Sequence, residues 1–139
     1  MMDTMADQSH HTQHRYVDAS TTSDERNRAM LAHLLGMLGL LDMFIFGLVG
    51  SLVVYLTGRS ESGYVEDHAR EAVNFQLSML IYTIIAGVLF FMTFGLAIII
   101  LIPLAIGMWF LRLIAGIIAS VAASKGEYYR YPLCIRLLR

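Results

Sequence analysis

A single cysteine in 139 residues is too few for a disulfide within the chain or for a cysteine-only metal site, so Cys134 excludes both. Charge is equally sparse. Only 15% of residues are Asp, Glu, Lys or Arg, the formal net charge is -1, and the basic residues form no dense stripe of the kind that grips a phosphate backbone. Nucleic acid is therefore excluded as a partner. The opening stretch MMDTMADQSHHTQHRYVDASTTSDERNR lacks the apolar core of a secretory signal, and its acidic residues argue against an organelle transit peptide. The first helix is left to direct insertion. Also missing are a nucleophile with a base beside it, a phosphate-cradling glycine loop and an acid pair suited to a closed pocket. These absences point away from an enzyme, and no cofactor is implied.

What is present is apolar: 57% of the residues are hydrophobic, and from Ala72 to Ala123 the only charged side chain is Arg112. Such a run belongs in lipid. Residues 1–22 are too polar to offset the entropy of ordering them and read as a disordered tail. Ser23 or Asp24 then offers an N-cap, with Asp24 and Glu25 at the positive end of the helix dipole. The apolar run from Ala29 to Thr57 would measure roughly 43 Å as one helix, against a hydrocarbon core of about 30 Å. It would also place Asp42 near the bilayer centre, at a cost on the order of 3 kcal/mol. Splitting the run at Asp42 removes that cost and gives helices over 24–41 and 43–58. Two crossings are the favoured reading; a hairpin that crosses a thinned bilayer or dips in and returns is the alternative.

The segment from Thr57 to Glu71 has the glycines, serines and mixed charges of an aqueous connection. The apolar run after it is too long for one crossing and reverses at Thr93, Phe94 and Gly95, giving helices over 64–92 and 96–124. Pro103 falls near the start of the last helix, as a kink or a ragged first turn. Gly126 suits its C-cap, and Pro132 cannot continue it. The fold class expected is all-α: an integral membrane four-helix bundle over 23–139 behind the tail. The tail, the middle loop and the C-terminus hold nine of the ten Lys and Arg residues, Arg112 being the tenth. Positive residues stay on the cytoplasmic side, so both termini and the middle loop are expected in the cytoplasm.

Few residues suggest chemistry. His10, His11 and His14 have a spacing that can converge on one metal ion, but no cysteine or ordered carboxylate completes a shell, so no metal site is assigned. His33 sits just beneath the headgroups on the first helix, where polar groups need partners. Asp67, Glu71, Asn74 and Ser78 recur every three to four residues and share one helix face at the same end. The two faces are expected to meet, as a polar mouth or proton relay on one reading and as glue between helices on the other. Arg112 lies more than ten residues from either end of its helix and must face the bundle interior or snorkel to water; an ion or substrate path is its functional reading. Small residues at Ala115, Gly116, Ala119, Ser120 and Ala123, and at Gly36, Gly39, Gly47 and Gly50, admit close backbone approach, more naturally within one chain than between copies. Tyr128, Tyr129 and Tyr131 suit the headgroup layer.

The stretches ERNRAMLAHLLG (25–36), SGYVEDHAREAVNFQLSMLIY (62–82) and GEYYRYPLCIR (126–136) resemble a family of small bacterial membrane proteins of unknown function. That family is grouped by similarity with the twenty-kilodalton subunit of the chloroplast inner-envelope protein translocon. The resemblance implies four transmembrane helices in a bacterial inner membrane and a non-enzymatic subunit of a membrane complex, with protein translocation as its narrower form and the bilayer and other membrane proteins or further copies as partners. Asn27, His33, His68, Glu71, Asn74, Gln76, Tyr129 and Pro132 match its pattern, and the first six form the candidate polar cluster; Arg112 departs from the pattern. A small oligomeric channel or transporter for ions or solutes is the alternative function.

Overall fold

In the computed structural model, residues 16–42 and 45–139 are described, Asp42 by its backbone alone. Helix α1 spans Ser23–Met37, a short α2 spans Gly39–Asp42, α3 spans Ile45–Gly58, α4 spans Gly63–Met92 and α5 spans Ile98–Ser124. Among the described residues the one strand-type pairing is an isolated antiparallel bridge between Val17 and Glu127. The all-α class, the four principal helices and the reversal at Thr93–Gly95 agree with the sequence reading. His10, His11 and His14 lie outside the described residues.

The first helix begins one residue earlier than Ser23 or Asp24 as caps would place it. Thr22 is the N-cap: its hydroxyl accepts from the Glu25 amide at 3.2 Å while the Glu25 carboxylate accepts from the Thr22 amide at 2.7 Å. Only this register puts a glutamate three residues after the cap, where the reciprocal pair satisfies two otherwise orphaned amides. Ahead of it, residues 16–22, read as tail from composition, are fixed by backbone pairing. The Asp18 amide donates to the Gly126 carbonyl at 2.9 Å, and the Tyr128 amide donates to the Tyr16 carbonyl at 3.0 Å.

Helix α1 is the centre of the bundle and packs against α3, α4 and α5, whereas α4 and α5 touch each other little. Small residues make this possible. A Cβ added at Gly47 would meet backbone of Gly36 and Gly39, with the Gly39 Cα at 2.9 Å, so α3 rests directly on the main chain of α1 and α2. Gly116 of α5 faces Met37, and Ala115 and Ala119 are buried. Both small-residue stripes are thus spent on packing within the chain.

The outer faces run the other way. In the most apolar 18-residue stretch of α5 only 6% of residues are buried, and Phe91, Leu96, Ile99 and Ile100 are each more than 70% exposed. A core helix of a soluble protein would bury those side chains, so lipid is the solvent that matches this surface. At 1.5 Å per residue α4 and α5 measure about 45 and 40 Å, enough to cross, but α1 and α3 measure only about 22 and 21 Å. Gly39 sits beside Gln76 and Arg112, leaving the α1–α3 hairpin about 20 Å short of the α4–α5 turn. The α1–α3 hairpin is thus the shorter of the two hairpins.

The N-terminal segment, the α3–α4 connection and the start of the C-terminal segment gather at one end of the bundle. Ala29, Tyr64 and Ala123 form a buried cluster there, and Arg28 pairs with Glu61. At the close of α5, Gly126 adopts φ +79°, which lets the Glu127 amide reach the Ala122 carbonyl at 3.0 Å and stops the helix as expected of a glycine C-cap.

Candidate functional site

Beyond Gly126 the chain has no regular structure, yet it does not leave the bundle. It descends along α4, turns at Pro132 and Leu133, where Leu133 takes φ +55°, and climbs back. Non-helical backbone at such depth is tolerated only where every polar group finds a partner in protein. The partners are the polar face of α4. Asp67 takes Arg130 through two bonds of 2.6 and 2.8 Å. Glu71 accepts from the Tyr131 amide at 2.8 Å and from Arg136 at 3.1 Å. Ser78 accepts from the Ile135 amide at 2.8 Å, and the Tyr82 hydroxyl donates to the Leu133 carbonyl at 2.8 Å. Asn74 receives the Leu137 and Leu138 amides and donates to the Leu138 carbonyl. Positions 67, 71, 74, 78 and 82 recur at helical spacing, so a single face of α4 serves as a template for an extended strap.

One turn of the strap connects this face to α1. The Tyr131 hydroxyl lies 3.0 Å from His33 Nδ1, and His33 Nε2 lies 2.9 Å from His68 Nδ1. All three side chains are buried, and Phe75 stacks on Tyr131 with ring centroids 4.0 Å apart. In a neutral imidazole one ring nitrogen donates and the other accepts, so all the bonds along Tyr131–His33–His68 must point in one direction. The row ends at His68 Nε2, which is buried without a hydrogen-bond partner of normal geometry. The Glu127 backbone interacts with the same imidazole, so the row ends against the start of the strap.

Deeper along α4, Gln76 donates to the Gly36 carbonyl at 2.8 Å and accepts from Arg112 at 2.7 Å. Gly36 belongs to the last turn of α1, whose carbonyls lack helical partners and carry the negative end of the dipole. That turn has no basic residue of its own. Arg112, from α5, supplies the positive charge, and Gly39 leaves the space for it: a Cβ there would run into the guanidinium. The arginine faces inward, and the place where α1 breaks explains its depth.

The structure therefore brings together His33, His68, Glu71, Asn74 and Gln76, all buried, and attaches Arg112 to them through Gln76. Asn27 is exposed in the second turn of α1 and is not part of the cluster. The expected meeting of His33 with the α4 face occurs, but through His68 and Tyr131, and most of that face is occupied by the strap. Tyr131 is only 5% exposed, so the picture of three headgroup tyrosines is corrected at this position: stacking on Phe75 and bonding to His33 outweigh a place at the interface. Tyr82, Arg130 and Arg136 escaped the sequence reading. Tyr82 continues the four-residue spacing from Ser78, a signal that was available; the arginines carried none.

Outside the spanning helices the strap also sets the chemistry of Cys134. Burial pushes its thiol up to about 11, with the nearby Glu71 carboxylate acting in the same direction. The Arg130 guanidinium is held further in its charged form by its hydrogen bonds to Asp67. Among the described residues no three metal-ligating side chains converge. The arrangement can hold a strap, relay a proton between three rings, or both.

The model of the MamF/MmsF family, described as the magnetosome magnetite crystal formation protein family, matches residues 24–138. No curated protein and no solved structure matches the chain.

Proposed function

We propose, from the premise that this chain belongs to the magnetosome magnetite crystal formation protein family, that it is a non-enzymatic structural component of the magnetosome membrane, acting on crystal formation through other membrane proteins. The observation that carries this reading is how the polar side chains are used. Asp67, Glu71, Asn74 and Ser78 are spent on the strap, while the apolar flanks of α4 and α5 are left open to the bilayer and to protein neighbours. That is the economy of a scaffold rather than of a reaction centre. The first described residues, from Tyr16, and the C-terminal segment lie at one end of the bundle, which supports an even number of crossings, and the excess of Lys and Arg at that end supports a cytoplasmic side for it.

Crosslinking in native membranes, followed by identification of what is attached, tests the proposal. It predicts specific membrane-protein partners, and cells lacking the chain should form crystals of altered size or shape. Recovery of the chain alone, with unaltered crystals, would contradict it. A link to protein translocation is the narrower form of the same idea; its support is the resemblance of the three motifs to small bacterial membrane proteins grouped with the chloroplast translocon subunit, and it predicts translocation machinery among the partners. A small oligomeric channel is the competing reading, with Arg112 and the His33 region along the path. Ion or solute flux from the purified chain in liposomes, without partners, would favour it.

A further inference from the structure

At the terminal end of α4, where its apolar part begins, the strap and the helix enclose a cleft of about 350 Å³ lined by Arg70, Arg130, Arg136 and Arg139 together with Asp67 and Glu71. The two carboxylates are already committed: Asp67 to Arg130 and Arg70, Glu71 to Arg136 and the Tyr131 amide. Their side chains are only 13% and 4% exposed, whereas those of Arg130 and Arg136 are each 47% exposed. The acids thus lie at the floor and the guanidiniums at the mouth, four cations against two anions in the lining, with Glu66 a third carboxylate 3.9 Å from Arg70 at its rim. Each guanidinium carries five N–H donors in a fixed fork, so arginines that hold a carboxylate still present donors to a second anion.

We propose that this cleft is a phosphate-binding site and that it holds the headgroup of an anionic phospholipid. The phosphate is the anion whose geometry an arginine fork matches, and the cleft lies between Asp67 and Asn74, where the apolar run of α4 begins at Ala72, the level expected of a leaflet's headgroups. Bound there, a lipid would draw Arg70 of α4 and Arg139 at the end of the strap onto one phosphate, clamping the strap to its helix by ionic contacts in addition to the hydrogen bonds of Asn74 and Ser78.

The test uses the full chain purified in detergent, analysed by native mass spectrometry while phosphatidylglycerol or phosphatidylcholine is added. Arg70→Gln combined with Arg139→Gln removes two guanidiniums but leaves Arg130 and Arg136 to anchor the strap. Phosphatidylglycerol should be retained in preference to phosphatidylcholine, and the double variant should lose that retention by on the order of twentyfold. Arg59→Gln, on the exposed α3–α4 connection, should change nothing. Equal retention of the two lipids, unchanged retention in the double variant, or an equal loss in Arg59→Gln would overturn the site. Displacement of the lipid by inorganic phosphate at matched concentration would overturn the headgroup assignment in favour of a free anion.

Discussion

Asn74 pairs with Leu138 as one strand pairs with another: its side-chain Nδ2 donates to the Leu138 carbonyl at 2.9 Å, and its Oδ1 accepts from the Leu138 amide at 2.8 Å. The same oxygen also takes the Leu137 amide at 3.1 Å. One carboxamide on a helix thereby satisfies three backbone groups of an irregular segment inside a membrane protein, where each orphaned group is costly.

Asn74→Ala should therefore release the end of the strap rather than unfold the bundle. The loss of these bonds costs about 1–3 kcal/mol, enough to populate a detached strap measurably. Amide hydrogen exchange of the detergent-solubilised protein reads this directly. Residues 133–138 should exchange about tenfold or more faster, with α1 and α5 unaffected; uniform acceleration across the chain would contradict a local role.

The face of α4 that binds the strap was legible in the sequence, because Asp67, Glu71, Asn74 and Ser78 keep a helical spacing. Its partner was not. An extended segment has no period, and GEYYRYP reads equally as a helix stop followed by headgroup tyrosines. The Thr22 cap was within reach, since Thr22-x-x-Glu25 is a capping-box pattern, but Ser23 and Asp24 are adjacent residues of equal intrinsic merit. The four helices and the Thr93–Gly95 reversal follow from hydropathy and length alone. Gln76 bridging Gly36 and Arg112 joins three distant parts of the chain, a relation that composition and periodicity do not encode.

Gly47 and Gly87 make opposite predictions for the same substitution. Gly47→Ala drives a methyl into backbone of Gly36 and Gly39, which cannot yield as a side chain tip would, and should destabilise by about 1–3 kcal/mol. Gly87→Ala meets nothing within 4 Å and should be neutral or mildly stabilising, because alanine is the better helix former. Thermal unfolding in a single detergent compares the two; equal effects would contradict the backbone contact between α3 and the α1–α2 junction.

Gln76 and Arg112 should behave as one unit at the end of α1. In a double-mutant cycle with Gln76→Leu and Arg112→Leu, the coupling should be about 1–3 kcal/mol, since each single change removes the charge-assisted hydrogen bond between the two. Additive effects would show that Arg112 draws its stabilisation from elsewhere.

Cys134 offers a prediction in pH. Burial raises its thiol to about 11, so at pH 8 the reactive thiolate is on the order of a hundredfold scarcer than for an exposed cysteine. Because the neutral form is the one favoured in the fold, labelling by a small thiol reagent should keep rising about tenfold per pH unit beyond pH 9. A plateau near pH 9 in the folded protein would contradict burial of the strap. In Asn74→Ala the plateau should move toward that lower value.

The account rests on the α4–α5 hairpin crossing the bilayer while both chain ends stay on the opposite side from its turn. In a Cys134→Ser background, single cysteines at Ser60, in the α3–α4 connection, and at Thr93, in the turn, settle this in sealed inverted vesicles. With an impermeant thiol reagent, Ser60→Cys should label at once and Thr93→Cys only after the vesicles are opened. Labelling of both from the same side would contradict the crossing and, with it, the membrane scaffold built upon it.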